Sequence, residues 1–172
     1  MRGLNNTDIA SEEKIVYQLG GAANFAGIVA GVFKRTCLRS KKKPTALVVD
    51  DNPTQRYVLS RLVEQAGYEF TEAQHAEEAL ENLKQDLPDV VVCDIKLARM
   101  DGFELCRRVK KDKRTAGVEV ILVTSMYYSS AREKEDTEKG RKKAKECGAL
   151  ELLPRGDAMH ELLPMLVKLG KK

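Results

Sequence analysis

Residues Val90–Asp94 read VVVCD, four apolar residues in a row that end in a carboxylate. A second run, Ala46–Asp51, reads ALVVDD and ends in two carboxylates. Apolar runs without polar alternation are typical of strands in a parallel sheet that is covered on both faces. Carboxylates that are buried close together raise one another's pKa unless a cation or a phosphoryl group offsets their charge. The two strand ends therefore indicate a site for such a group.

From about Pro44 onward, short apolar runs alternate with amphipathic helical stretches. The predicted strands are Thr45–Val49, Glu69–Ala73, Val90–Ile95, Glu119–Thr124 and Ala149–Leu153. Five strand–helix repeats with short connections predict a doubly wound α/β domain around a five-stranded parallel sheet. Ligands of such sheets bind beyond the carboxyl ends of the strands, so we expect Asp50, Asp51 and Asp94 at one place.

Two helical segments depart from this regular pattern. Pro164 lies inside the last apolar stripe, which predicts a kink or a later start for that helix. Residues Ser129–Glu146 are charged and carry few apolar side chains. They predict a solvent-facing helix that is interrupted or bent near Gly140.

Composition limits the class of protein. The 172 residues suffice for one ordinary domain with an extension, and 42% apolar with 33% charged residues describes a soluble globular chain. The formal net charge of +4 gives little support to general nucleic-acid binding. Cys37, Cys93, Cys106 and Cys147 form no C-x-x-C pair. They predict reduced thiols in a cytoplasmic protein, and no cleavable secretory signal is visible.

The acidic strand ends suit one kind of chemistry. Asp50, Asp51 and Asp94 offer the oxygen ligands that Mg²⁺ prefers. With the charge offset, Asp94 could attack the phosphorus of an incoming phosphate. Thr124, at the end of the fourth strand, could donate a hydrogen bond to a phosphoryl oxygen, and Arg155, after the fifth, could pair with another.

Residues from about Pro44 to Gly170 resemble the receiver domain of two-component response regulators. The matching segments are LVVDDNPTQRYVLSRLVEQAGY, EAQHAEEALENL, PDVVVCDIKLARMDGFELCRRVK, VILVTS and GALELLPRG. The most specific piece runs from Asp94 to Met100-Asp101-Gly102 and on to Leu105.

The resemblance implies a flavodoxin-like fold with strand order 2-1-3-4-5. It implies phosphorylation of Asp94, a magnesium site formed by Asp50, Asp51, Asp94 and the backbone carbonyl of Lys96, and Thr124 as the switch hydroxyl. The phosphoryl group would come from a sensor histidine kinase or a histidine phosphotransferase. The domain would signal to a downstream protein that the sequence does not identify, without direct nucleic-acid contact and without enzyme activity beyond slow self-dephosphorylation.

Several positions differ from the family pattern. Arg155 stands where the family has a lysine, Gly156 replaces the following proline, and Leu152 replaces an aromatic residue that moves with the switch hydroxyl. The helix-four region, about residues 126–147, is longer than in compact members. These differences favour a second hypothesis, a pseudo-receiver that acts as a scaffold or interaction module without the switch. An aspartate-based phosphatase is disfavoured, because Asp50-Asp51 leaves no second carboxylate placed to protonate a leaving group.

Residues 1–43 lie outside the resemblance, which leaves residues 44–172 as the predicted receiver domain. The apolar segment Ala22–Phe33 is followed by basic residues up to Lys43. A bilayer requires about 20 apolar residues in a helix, which disfavours a membrane span without removing it. The segment could instead form a peripheral or partner-docking helix, or a helix that covers the receiver or makes a homodimer contact.

Overall fold

The structure is a computed structural model that describes residues 42–124 and 133–171, all within one compact unit, Lys42–Lys172. Predictions for residues 1–41 and 125–132 lie outside the described residues. The elements are β1 (Thr45–Val49), α1 (Pro53–Gln65), β2 (Glu69–Ala73), α2 (Ala76–Gln85), β3 (Val90–Asp94), α3 (Gly102–Lys111), β4 (Glu119–Thr124), α4 (Glu133–Glu146), β5 (Glu151–Pro154) and α5 (Arg155–Leu169).

The five strands form one parallel sheet in the order β2-β1-β3-β4-β5. The predicted fold class and the strand order 2-1-3-4-5 are confirmed. In the register of the sheet, Val49 lies opposite Cys93, and Asp94 lies opposite Val123. The carboxyl ends of β1, β3 and β4 therefore meet at one edge, where the acidic residues were expected.

A separate apolar core covers each face of the sheet. Leu47, Val49, Val91 and Cys93 face one core, together with side chains from α2, α3 and α4. The alternate strand residues face the other core against α1 and α5, and they include Ala46, Val48, Val90, Val92, Ile121, Val123 and Leu153. Residues of β1, β3 and β4 are buried from both sides, which accounts for their uninterrupted apolar runs.

Two predicted strands have wrong bounds. β3 ends at Asp94 and not at Ile95, because the chain bends there and Gly102 donates its N–H to the Ile95 carbonyl at 2.9 Å. β5 begins at Glu151 and not at Ala149, and it ends at Pro154 and not at Leu153. Gly148 and Ala149 belong to the turn that ends α4, donating to the carbonyls of Lys145 at 3.0 Å and of Ala144 at 2.9 Å. This is the Schellman motif, and Gly148 has the positive φ of 87° that it requires.

Two helix predictions are wrong in part, because the helix around Gly140 is not interrupted and the last helix does not begin later than its apolar stripe. α4 continues through Gly140 without interruption, because Gly140 and Ala144 are both buried on one face of the helix. α5 starts at Arg155, before its apolar stripe, and includes Pro164. Proline deprives the carbonyl of His160 of its helical donor, and this cost is reduced because His160 and Pro164 are both exposed to solvent.

Within residues 42–124 and 133–171, every helix is too short or too polar to cross a bilayer. In the same part of the chain, Cys93, Cys106 and Cys147 are buried free thiols.

Candidate functional site

Asp50 and Asp94 converge on one guanidinium group. Asp50 follows β1 and Asp94 ends β3, and their exposed fractions are only 1% and 4%. Arg155, the first residue of α5, donates from Nη2 to Asp50 Oδ2 at 2.9 Å and to Asp94 Oδ1 at 2.6 Å. The structure thus brings together three of the predicted site residues, from three different elements.

The second oxygen of each carboxylate is held by its own loop. The backbone N–H of Asn52 donates to Asp50 Oδ1 at 2.9 Å, and the N–H of Lys96 donates to Asp94 Oδ2 at 2.8 Å. Asn52 also caps α1, accepting from the N–H groups of Thr54 and Gln55 with its side-chain oxygen. The carboxylates are therefore oriented by backbone donors on one side and by Arg155 on the other.

The pKa of Asp94 is raised above its ordinary value. Burial is the largest cause, because it disfavours the charged form, and the nearby Asp50 charge acts in the same direction. The charge and hydrogen bond of Arg155 and the Lys96 N–H lower the pKa, and they offset only part of the effect of burial. The Asp94 carboxylate is thus less stabilised as an anion than it would be in water.

A cleft of about 370 Å³ opens beside Asp94. Its lining includes Asp51, Asn52, Gln55, Lys96 and the loop residues Leu97 and Ala98. Asp51 is half-buried and lines this cleft together with Asp94. Asp94 is therefore accessible from solvent along a polar path, although little of its side chain is exposed.

The donor atoms around this cleft are of the kind that bind Mg²⁺. Among the described residues, no group of three or more His, Cys, Asp or Glu side chains is arranged to hold a metal ion. However, Mg²⁺ keeps several waters and usually takes only one or two protein carboxylates. Asp50 and Asp94, with Asp51 in the lining of the cleft and a carbonyl from the Lys96 loop, fit that requirement chemically.

Thr124 and Lys96 occupy different surroundings. Thr124 ends β4, and its side chain is fully buried. In the register of the sheet it lies opposite Pro154, the residue immediately before Arg155. Lys96 is exposed, and it contacts Asp94 through its backbone N–H. Leu152, which stands at the position of the family's aromatic residue, is fully buried in the core on the side of α2, α3 and α4.

Sequence reasoning missed a second arginine that supports the site. Arg56, in the first turns of α1, donates from Nη1 to the Asp50 backbone carbonyl at 2.7 Å. Its Nε donates to Glu72 Oε2 at 3.2 Å, while Ser60 donates to Glu72 Oε1 at 2.6 Å. These contacts link the Asp50 loop to α1 and β2. An arginine one turn past the start of a helix is usually solvated. The one sequence signal for Arg56 is that it follows closely after Asp50-Asp51.

Comparisons with known proteins identify the family of this domain. The family profile described as "Response regulator receiver domain" matches residues 46–162, more than half of the chain. The chain belongs to the response regulator receiver domain family. The resemblance seen in the sequence is confirmed, and the domain is of the CheY-like kind that operates in two-component signalling.

The individual relatives of this receiver domain share only a quarter to about a third of its residues over the matched segments. Protein PilH of Pseudomonas aeruginosa is 35% identical over 79 residues, which cover 46% of this chain and 65% of PilH. The DNA-binding dual master transcriptional regulator RpaA of Synechocystis is 32% identical over 83 residues, 48% of this chain and 34% of that protein. The chemotaxis response regulator CheY4 of Vibrio cholerae superposes with a TM-score of 0.61 at 25% identity, covering 74% of this chain and 99% of that one. The receiver thus matches from about a third to two thirds of these two curated relatives.

Proposed function

We propose that this receiver domain is a phosphoacceptor whose Asp94 takes a phosphoryl group from a phosphohistidine. The observation that carries the proposal is the position of Asp94. It ends β3 beside an open cleft, while Arg155 Nη2 contacts one of its oxygens at 2.6 Å. A buried carboxylate with a raised pKa, a cationic partner and a path to solvent has the properties of a nucleophile for phosphorus.

In the transfer step, a carboxylate oxygen of Asp94 forms a bond to phosphorus while the P–N bond of the donor histidine breaks. The imidazole leaves with the electron pair of that bond and takes a proton from solvent. The Lys96 N–H holds Asp94 Oδ2 at 2.8 Å, which fixes the orientation of the carboxylate during attack. Such transfer depends mainly on positioning and charge stabilisation, both of which these contacts supply.

Asp50, Asp51, Asp94 and the backbone carbonyl of Lys96 are the residues that we propose hold Mg²⁺. The ion, when bound, offsets the carboxylate charges and the charge of the phosphoryl group. Asn52 contributes by donating its N–H to Asp50 Oδ1, which leaves Oδ2 directed toward the centre of the site.

Thr124 and Arg155 would stabilise the phosphorylated form. The Thr124 hydroxyl lies at the end of β4, where it could donate to a phosphoryl oxygen, and Arg155 could pair with another. Both residues adjoin β5 and α5, so their rearrangement would shift the population of two conformations of this surface. Leu152 lacks a polar tip, so the family's aromatic switch would be replaced here by packing.

The partners follow from this activity. The donor would be a sensor histidine kinase or a histidine phosphotransferase, and the output would be contact with a downstream protein. A relative named Histidine kinase P4, of Formosa agariphila, is 33% identical over 88 residues, which cover 51% of this chain and 6% of that protein. That match supports a link to histidine kinases without naming the donor. Residues 1–43, proposed as an extension to the receiver of residues 44–172, remain the candidate for a membrane, partner or homodimer contact.

The test is Asp94-dependent labelling. The full chain is incubated with Mg²⁺ and a small phosphodonor such as phosphoramidate, and its intact mass is measured. We expect the mass of one added phosphoryl group in the wild type and in Asp86→Asn, a control that changes an exposed carboxylate beyond the end of α2. We expect no added mass in Asp94→Asn, with circular dichroism confirming that each variant is folded.

Absence of labelling in the folded wild type would contradict the proposal and support the pseudo-receiver hypothesis. Labelling that persists in Asp94→Asn would assign the phosphoryl group to another residue. The comparisons give the pseudo-receiver hypothesis no support of its own.

A further inference from the structure

The Arg155 guanidinium occupies the space between the two carboxylates that form the centre of the site. A terminal guanidinium nitrogen carries two N–H groups. Nη2 of Arg155 makes one hydrogen bond to Asp50 Oδ2 and one to Asp94 Oδ1, so both of its N–H groups are engaged. One nitrogen atom thus neutralises part of the charge of both carboxylates.

Arg155 holds the one oxygen of each carboxylate that no backbone N–H holds. Asp50 Oδ1 and Asp94 Oδ2 already accept from the backbone of Asn52 and Lys96. The remaining oxygens, Asp50 Oδ2 and Asp94 Oδ1, are the ones that Arg155 holds at 2.9 and 2.6 Å. A divalent cation held by Asp50 and Asp94 would compete with Nη2 for the charge of the two carboxylates and would be repelled by the guanidinium charge.

Arginine is a strong competitor in this position. Its charge is permanent across the accessible pH range, and its planar fork is held in place with little loss of freedom per bond. The Arg155 side chain is only 20% exposed, so water weakens its two ion pairs less than it would at the surface. The competition is therefore a property of the folded site rather than of a mobile surface charge.

We propose that Arg155 is a resident counter-ion that competes with the divalent cation, so that Mg²⁺ binding and release of Asp50 and Asp94 by the guanidinium are coupled. This inference rests on the proposed magnesium site and adds how its affinity is set. The inference also implies a second position for the Arg155 guanidinium, which it takes when the cation displaces it from the carboxylates. Within the described part of the chain, its Nε is buried and has no hydrogen-bond partner. A guanidinium displaced by the cation would have Nε and Nη2 free to donate to phosphoryl oxygens.

The experiment measures cation binding to the unphosphorylated full chain. Mg²⁺ is titrated by calorimetry and Mn²⁺ by electron paramagnetic resonance, for the wild type, Arg155→Gln, Arg155→Lys and Arg99→Gln. Arg99 is an exposed residue of the loop that follows Asp94, so Arg99→Gln removes the same charge without touching either carboxylate. We expect Arg155→Gln to bind both ions at least tenfold more tightly than the wild type. We expect Arg99→Gln to change the affinity less than twofold, and Arg155→Lys to remain within a few-fold of the wild type.

A second measurement follows Arg155 itself, which covers the case in which Arg155→Gln does not fold. The ¹⁵Nε resonance of Arg155 is observed in the wild type during Mg²⁺ titration. We expect it to shift with the midpoint measured by calorimetry. Unchanged or weaker cation binding in a folded Arg155→Gln, or an Nε resonance that does not respond to bound Mg²⁺, would overturn the proposal. Because neither readout requires phosphorylation, failure of Asp94 labelling would leave this result unaffected.

Discussion

Gly102 determines how closely the loop after Asp94 folds back onto β3. A Cβ atom added to Gly102 would lie 2.5 Å from the backbone oxygen of Asp94 and 3.0 Å from the Cα of Ile95. Both contacts are with backbone, which cannot rotate away as a side chain could. Asp101 caps α3, because its side chain accepts from the Glu104 N–H at 2.7 Å. Gly102, the next residue, is the only residue type that fits beside the Asp94 backbone.

Substitution Gly102→Ala is expected to reduce the free energy of unfolding by about 1–3 kcal/mol, the usual cost of forcing an extra methyl group into a packed site. Chemical denaturation measures this change. Gly117→Ala is the matched control, because Gly117 is exposed and its added Cβ would meet nothing within 4 Å. We expect the control to remain within about 0.5 kcal/mol of the wild type. Equal stability of the two variants would show that the Asp94 loop moves without cost.

At the scale of single residues, sequence reasoning was strongest where chemistry restricts the choice of side chain. Asp50, Asp94 and Arg155 were each expected at the site because charged groups at the ends of buried strands need partners, and the structure places all three in contact. Arg56 was missed because its partner is a backbone carbonyl, which every residue carries and no sequence pattern marks. Asp51 was expected beside the other two carboxylates, and it lines the same cleft as Asp94.

The turns between elements carry contacts that the apolar pattern does not reveal. Tyr68 lies in the turn between α1 and β2, where Gly67 adopts a φ of 90° and allows the chain to reverse. The Tyr68 hydroxyl donates to the backbone oxygen of Leu166 in α5 at 3.0 Å. This bond ties the start of β2 to the last turn of α5, two segments that are far apart in sequence.

Tyr68→Phe is expected to lower the free energy of unfolding by about 1 kcal/mol, the net contribution of a typical hydrogen bond. Tyr57→Phe, at a position that is 61% exposed, is the control and should leave stability unchanged within error. Burial, with the Asp89 charge as a smaller cause, raises the pKa of Tyr68 above its ordinary value of 10.0. A raised pKa means that the contribution of Tyr68 is complete below pH 10 and is lost as pH rises through the native pKa. The difference between Tyr68→Phe and the wild type should therefore shrink above pH 10.

In the residues whose burial is described, α4 buries smaller residues than the other helices do. The buried residues in its described part, residues 137–146, are Gly140 and Ala144, with Cys147 directly after the helix. By contrast, α5 buries Ala158, Leu162 and Leu166. Small side chains remove little apolar surface from water, so α4 gains less stabilisation from the core.

Amide hydrogen exchange should detect this difference between the helices. We expect the amides of α4 to exchange at least tenfold faster than those of α5, because local opening of α4 exposes little apolar surface. Mass spectrometry of peptides from the two helices gives both rates in one experiment. Equal protection of α4 and α5 would mean that contacts other than this buried stripe hold α4 in place.

Across the whole molecule, the apolar pattern predicted the five strands and their parallel sheet. Strands that are buried on both faces give uninterrupted apolar runs, which are visible in the sequence. The apolar pattern did not predict two features of the helices. The Schellman turn at Gly148 and the continuation of α5 through Pro164 depend on local backbone bonds and on solvent exposure, which emerge only in the folded chain. Residue types therefore indicated the site, while contacts formed in the folded chain set the bounds of the helices.

Ligand binding at the edge of the sheet should stabilise the whole receiver, because the site joins β1, β3 and α5 and exists only in the folded state. Mg²⁺ with BeF₃⁻, an analogue of the phosphoryl group, would stabilise the fold by about 2.7 kcal/mol at a free concentration of 100 times its Kd. For a domain of this size, that corresponds to a rise in Tm of about 5–10 °C. Differential scanning calorimetry checks the rise, with Mg²⁺ alone and BeF₃⁻ alone as controls. Asp94→Asn should show no increase with BeF₃⁻ beyond that caused by Mg²⁺, since it lacks the carboxylate oxygen to which beryllium binds. A full rise in Asp94→Asn would place the binding site elsewhere in the molecule.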